Sequence, residues 1–176
     1  GEYGLRMVVG GNGNGKTFLT RHVCRLSIKQ AIQERNASFR PILYVDVERH
    51  IGSKPVQSLG DLVDMFSRRT EEVQMVPEGV VALHWPKARG ADGGGIASNA
   101  SSQLASSIDS NNMVLVLDNI VDATQPPWPE FIEAISGCLL RSLVIVVSDN
   151  DCGVEIAEGQ SLCVKGFDEA QTEAYG

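Results

Sequence analysis

The stretch Gly10-Gly11-Asn12-Gly13-Asn14-Gly15-Lys16-Thr17 decides how this chain is read. It fits G-x-x-x-x-G-K-[ST] without a mismatch. An apolar run, Leu5 to Val9, leads into it, and a helix-like pattern, Phe18 to Ile32, leads out. That strand–loop–helix context separates a phosphate-binding loop from a plain glycine-rich turn ahead of a helix. The residue types suit the task. Glycines let successive backbone N–H groups point at a phosphate, and the following helix adds the positive end of its dipole. Lys16 can reach the β- and γ-phosphates, and the Thr17 hydroxyl can ligate Mg²⁺. The expected nucleotide contacts are Gly10, Gly11, Asn12, Gly13, Asn14, Gly15, Lys16, Thr17 and the adjoining Phe18.

Outward from the loop, further strands read as unbroken apolar runs: Ile42–Val47, Val80–Trp85, Met113–Leu117, Leu143–Val147 and Leu162–Val164. Unbroken rather than alternating runs indicate strands covered on both faces. Helical patterns separate them. Phe18, Leu19, His22, Val23, Leu26, Ala31 and Ile32 form one stripe. Leu59, Leu62, Val63 and Phe66 form another, with Ser58 and Asp61 placed as a capping box. Residues 100–108 read as a short helix, and Pro129–Leu140 as another with Pro129 in its first turn. The alternation predicts a three-layer α/β sandwich with a mostly parallel sheet of five or six strands. Gly90–Ser102 is small, polar and glycine-rich and reads as a mobile loop. Phe167–Gly176 begins a helical pattern and stops. With no initiating Met, residues 1–176 read as one core domain excised from a longer protein.

Composition is ordinary for a soluble α/β domain, with 43% hydrophobic and 21% charged residues. No apolar run approaches a membrane span, and no leader pattern precedes the first strand. The four cysteines form no C-x-x-C pair, which points to a reducing, intracellular compartment without structural zinc: the cytoplasm, with the nucleus left open. Net charge is −7, and from Asp118 onward the only basic residues are Arg141 and Lys165. That half is a poor duplex-binding surface. Arg21, Arg25 and Lys29 fall on one face of the first helix; a solvated face is the commoner meaning, a nucleic-acid stripe the rarer.

A triphosphate site also needs an acid for the metal shell at the end of an apolar strand. Asp118 ends Val114-Leu115-Val116-Leu117, so Thr17 and Asp118 are the expected metal ligands; a turn or helix-cap aspartate is the plainer alternative. Catalysis needs a group that orients or deprotonates water, alongside Lys16. The position after Asp118 is Asn119, which cannot act as a base. Asp122 and Glu48 are the two substitutes, each equally readable as a surface turn residue; Asp46 is weaker. Ser148-Asp149-Asn150 ends the fifth strand, and Ser148 or Asn150 there could sense a phosphate, or simply make a turn. No N-K-x-D or D-x-x-G guanine motif occurs, and no basic cluster resembles a kinase lid.

Gly10–Thr17, Val114–Asp118 with Asp122, Leu143–Asn150 and the final Leu162–Gln171 together resemble the ATPase branch of P-loop NTPases that includes AAA+ and STAND (NACHT-like) proteins. The resemblance implies ATP and Mg²⁺ as cofactors, Lys16, Thr17 and Asp118 as phosphate and metal residues, and protein partners or a homo-oligomer. Asn119 replaces the AAA+ acid, and no arginine lies between the fifth and sixth strands, which implies a slow ATPase or a switch. Tyr44-Val45-Asp46-Val47-Glu48 instead resembles the RecA-like strand that ends in a catalytic Glu, with residues 80–85 as an added strand. That family would bring DNA as partner, which the acidic second half disfavours. A nucleotide-binding interaction module without turnover is the remaining alternative.

Overall fold

The computed structural model describes residues 3–34, 40–50, 56–69, 74–75, 97–154 and 160–165. In chain order they form β1 (Gly4–Val9), α1 (Lys16–Glu34), β2 (Ile42–Asp46), α2 (Val47–His50), α3 (Leu59–Arg69), β3 (Gln74–Met75), α4 (Ala97–Ser110), β4 (Val114–Ile120), α5 (Trp128–Ile135), β5 (Leu143–Ser148) and β6 (Ser161–Cys163). The strands make one six-stranded sheet in the order β3-β2-β4-β5-β1-β6. Five run parallel, and β3 pairs antiparallel with β2. The expected strand Val80–Trp85, residues 90–96 of the expected mobile loop and the segment Phe167–Gly176 lie outside the described residues.

Alternation along each strand sends side chains to two unequal cores. Leu5, Met7, Leu43, Val45, Leu115, Leu117, Val144 and Val146 meet Leu62, Phe66, Leu104, Ile108, Phe131, Ile132 and Ile135 on the face covered by α3, α4 and α5. Val8, Ile42, Tyr44, Val116 and Val147 meet Cys24 on the face covered by α1. Even positions of β2, and of β4 as far as Asp118, thus face α1, which places Tyr44, Asp46 and Asp118 on that side.

The interiors of β1, β2, β4 and β5 match their apolar runs, whereas β6, expected to be covered on both faces, is exposed throughout because it sits at the sheet edge beyond β1; the helices also depart from expectation. Apart from Ala31, the stripe on α1 is not its buried face. Phe18, Leu19, Val23, Leu26 and Ile32 are exposed, while Lys16, Thr20, Cys24 and Ala31 are buried. The loop sets the helix's rotation, because Lys16 and Thr17 must turn toward the loop and the strand ends. Small residues one turn apart then face the sheet. Residues 97–102, expected as loop, are the first turns of α4, since Leu104, Ala105 and Ile108 bury against the core and the Ala/Ser run offers no break. Helix α5 ends at Ile135, short of Leu140, because Gly137 adopts φ +74° directly beyond the Ser136 cap. The α3 capping box forms as expected. The Asp61 carboxylate accepts from the Ser58 backbone N–H at 3.0 Å, and the Asp61 N–H donates to Ser58 Oγ at 3.2 Å. No described helix is long and apolar enough to cross a membrane.

Candidate functional site: the loop after β1 and its acids

The loop 10–15 leaves β1 between two neighbours, β5 and β6. Its first residue touches both. The Gly10 N–H donates to the Ser148 carbonyl at 3.3 Å, and a Cβ on Gly10 would lie 2.2 Å from the Val164 carbonyl oxygen. Only glycine fits that approach. Asn14 turns away from the loop mouth, its amide donating to the same Val164 carbonyl at 3.1 Å. Gly15, at φ +81°, turns the chain into α1. The loop, the start of α1 and the ends of β2, β4 and β5 enclose a cavity of about 600 Å³, within the range of small-ligand sites. Its walls include Asn12, Gly13, Gly15, Lys16, Thr17, Phe18, Glu48, Asn119 and Asp149.

Lys16 is buried, with its ammonium donating to the Gly11 carbonyl at 2.9 Å and paired to Asp149 Oδ1 at 2.8 Å. Thr17 Oγ1 stands 3.0 Å from Asp118 Oδ1 and 3.2 Å from Asn119 Oδ1, within donating reach of both. Consecutive strand residues normally point to opposite faces. Here β4 carries a register shift against β5 between Leu117 and Ile120, and Asn119 has φ 63°. This bulge turns Asn119 to the same side as Asp118, a conformation asparagine tolerates better than most residues.

Asp118 is fully buried. Its second oxygen, Oδ2, accepts from the Tyr44 hydroxyl. Burial first, and then the bond to Asp118, push the Tyr44 hydroxyl above its ordinary range, so it stays protonated and donates. Arg21, one turn after Thr17, lays its guanidinium 5.2 Å from the Tyr44 ring centroid and donates from Nε to the Tyr44 oxygen at 3.3 Å. Its Nη2 sits 3.6 Å from Asp46 Oδ2. Asp46 Oδ1 accepts from Asn119 Nδ2 at 2.9 Å, which fixes the amide's orientation, because a carboxylate can only accept.

The remaining expected site residues fall in two groups. Glu48, in the first turn of α2, is exposed and lines the cavity. Asp122 is not among the cavity's lining residues. Its Oδ1 accepts from Asn150 Nδ2 at 2.8 Å, the Thr124 hydroxyl at 2.6 Å and the Thr124 N–H at 3.0 Å. The Asn150 bond first, then those from Thr124, hold its carboxyl down at about 2. Ser148 is buried and shares contacts with Asn150. Asp149, the middle residue of that triplet, is the one that reaches the cavity. Sequence reasoning passed over Asp149, Tyr44 and Arg21 as site residues. The available signals were a polar residue in an otherwise apolar strand for Tyr44, and a position one turn beyond Thr17 for Arg21. Arg21 and Arg25 both line the cavity, so this part of the basic face is not simply solvated.

No protein-family model matches the sequence, and no curated protein matches it. Solved structures do. The ORC2 protein of Aeropyrum pernix, determined in ADPNP and ADP complexes, superposes with a TM-score of 0.55 at 15% identity, over 97% of this chain and 44% of that one. A Walker-type ATPase of Pyrococcus abyssi superposes with a TM-score of 0.49 at 12% identity, over 97% of this chain and 51% of that one. The chain therefore spans less than two thirds of either protein. Sheet order, loop and the likeness to ORC2 agree on the architecture: this chain has the α/β fold of P-loop NTPases.

Proposed function

We propose that this chain binds ATP with Mg²⁺ and works as a slow ATPase or nucleotide switch within a larger assembly, in the manner of AAA+ and STAND proteins. The observation that carries the proposal is that Lys16 and Thr17 line the cavity while Thr17 Oγ1 stands 3.0 Å from Oδ1 of Asp118, buried directly behind it on β4. The donors there are hydroxyl, carboxylate and amide oxygens, a set suited to a hard cation. Among the described residues no group of three or more His, Cys, Asp or Glu side chains could hold a metal unaided. Mg²⁺ suits such a site, because it commonly takes one or two protein oxygens and completes its shell with phosphate and water. When bound it would neutralise charge on the β- and γ-phosphates. Lys16 would orient the phosphates, and the backbone N–H groups of the loop would wrap them. The absence of a guanine motif favours ATP, and ORC2, of the same fold, is described with ADPNP and ADP.

For hydrolysis, Glu48 is the acid better placed to orient water, since it lines the cavity while the Asp122 carboxylate is engaged in its own turn. Asn119 supplies no base, which favours slow turnover. Glu48 at this position also keeps the RecA-like alternative in view, with DNA as the partner that would stimulate the rate. Lys16→Ala should abolish ATP binding in titration calorimetry; unchanged affinity would refute the site. Steady phosphate release above background separates a slow ATPase from a binding module, and its response to added DNA separates the two families.

A further inference from the structure

Six side chains close a ring beneath the loop. Thr17 reaches Asp118, Asp118 accepts from Tyr44, and Tyr44 accepts from Arg21. Arg21 pairs with Asp46, Asp46 accepts from Asn119, and the Asn119 Oδ1 lies 3.2 Å from Thr17 Oγ1, whose single proton is shared between it and Asp118. The members come from α1, β2 and β4, so the oxygens that face the phosphate end are referenced to three elements at once.

We propose that Tyr44 is the positioning residue of the Asp118 carboxylate, and that the ring it closes makes this site discriminate Mg²⁺ from Ca²⁺. The inference rests on the ATP–Mg²⁺ reading above. Its basis is the division of labour between the two Asp118 oxygens. Oδ2 is committed to the Tyr44 hydroxyl, and Oδ1 faces Thr17. Asp118 is fully buried, so water cannot take over the tyrosine's place. The carboxylate is therefore left with one oxygen to offer a cation. Mg²⁺ accepts a single carboxylate oxygen in a tight octahedron, whereas Ca²⁺ takes more ligands at longer range and often takes both oxygens of one carboxylate.

The other half of the ring acts in the same sense. Asn119 Oδ1 is held beside Thr17 because the amide nitrogen is fixed on Asp46. Asp46 is in turn paired with Arg21, so its two oxygens are engaged by Asn119 and Arg21 instead of adding a second carboxylate to the site. A second carboxylate would raise the charge and ligand count, which favours Ca²⁺.

The test uses the full chain and Tyr44→Phe, which keeps the ring and deletes the hydroxyl. Affinity for adenylyl imidodiphosphate is measured in EDTA, in Mg²⁺ and in Ca²⁺. The wild type should gain affinity with Mg²⁺ far more than with Ca²⁺. Tyr44→Phe should keep its affinity in EDTA, lose about 10–100-fold in apparent Mg²⁺ affinity, and narrow the Mg²⁺/Ca²⁺ preference. Retention of the Mg²⁺ affinity within about threefold, well below that range, would overturn the proposal. So would an equal loss with both cations, which a merely structural tyrosine would give. A wild type indifferent to divalent cations would overturn the Mg²⁺ reading itself, and this proposal with it. Should Tyr44→Phe fail to fold, Arg21→Gln opens the ring at its more exposed member while leaving Tyr44 on Asp118. It should shift the Mg²⁺/Ca²⁺ ratio in the same direction, and an unmoved ratio would be equally fatal.

Discussion

Asp149→Asn should make the protein bind ATP more tightly while making the free protein less stable. In the structure Lys16 is not waiting for a phosphate. Its ammonium is 2.8 Å from Asp149 Oδ1, and its side chain is 9% exposed against 34% for the aspartate. A triphosphate held by the loop would draw the ammonium off that carboxylate and bring negative charge close to it. The pair therefore stabilises the nucleotide-free state and opposes binding. A hydrogen bond to a charged group contributes about 1.5–3 kcal/mol when sheltered, and an exposed ion pair about 0–1 kcal/mol. With one partner buried and the other about a third exposed, about 1–2 kcal/mol is reasonable, equivalent to about 5–30-fold in an equilibrium constant.

Asparagine keeps the shape and still offers Lys16 a carbonyl oxygen, so the lower end applies: about fivefold tighter ATP binding. The free protein should melt about 2–4 °C lower, the shift that about 1 kcal/mol produces in a chain of this size. Titration calorimetry at fixed Mg²⁺ and ionic strength gives the first quantity, and thermal unfolding without nucleotide the second. Raising the salt concentration should shrink the affinity difference, because screening weakens the wild-type pair. Weaker ATP binding by the variant would refute the reasoning. It would mean that Asp149 works for the bound state, on the cation or on Lys16, instead of against it.

In single-turnover hydrolysis, Glu48→Gln should lower the rate about 10²–10⁴-fold, the usual worth of a positioned acid or base, while Asp122→Asn leaves the chemical step unchanged; the reverse would move the base to Asp122. Asp122 should instead show itself in acid. Its folded-state value, about 2, lies below the ordinary carboxylate value near 4, so its contribution to stability is present above about pH 4 and lost as pH falls toward 2. The stability gap between wild type and Asp122→Asn, followed by urea unfolding, should close over that window. At the opposite end of the sheet, buried Ser142 donates to the Ile108 carbonyl at 2.7 Å and accepts from the Met113 N–H at 3.0 Å. Ser142→Ala should cost about 1–3 kcal/mol in denaturant unfolding, with nucleotide affinity untouched.

The strand–loop–helix unit around residues 10–17 and the central strands were legible because their signals are local. Gly10 to Thr17 are contiguous, and apolar runs such as Val114–Leu117 need only their own composition to read as buried strands. The rotation of α1 was not legible. Hydrophobicity alone puts Phe18, Leu19, Val23 and Leu26 inward, yet Lys16 and Thr17 anchor the helix the other way round. That Asp149 and not Ser148 lines the cavity was not legible for a related reason. Strand alternation says that neighbours face opposite sides, but not where the strand stops obeying it, and Asp149 is the first residue beyond β5.

The bulge in β4 carries the same lesson further, and it bears on function. Read by position, Asn119 is an acid gone missing, and the chain looks like a weakened ATPase. The structure gives the asparagine a use that an acid could not fill. Its amide donates to Asp46 through nitrogen and offers oxygen beside Thr17. A carboxylate at 119 has no donor for Asp46 and would face it as a like charge, next to the buried Asp118. The ring would open at that point unless Asp46 or Arg21 rearranged. Asn119 thus trades the capacity to activate water for an organised set of oxygens around Thr17. If the site takes ATP as proposed, that trade favours holding the nucleotide over consuming it.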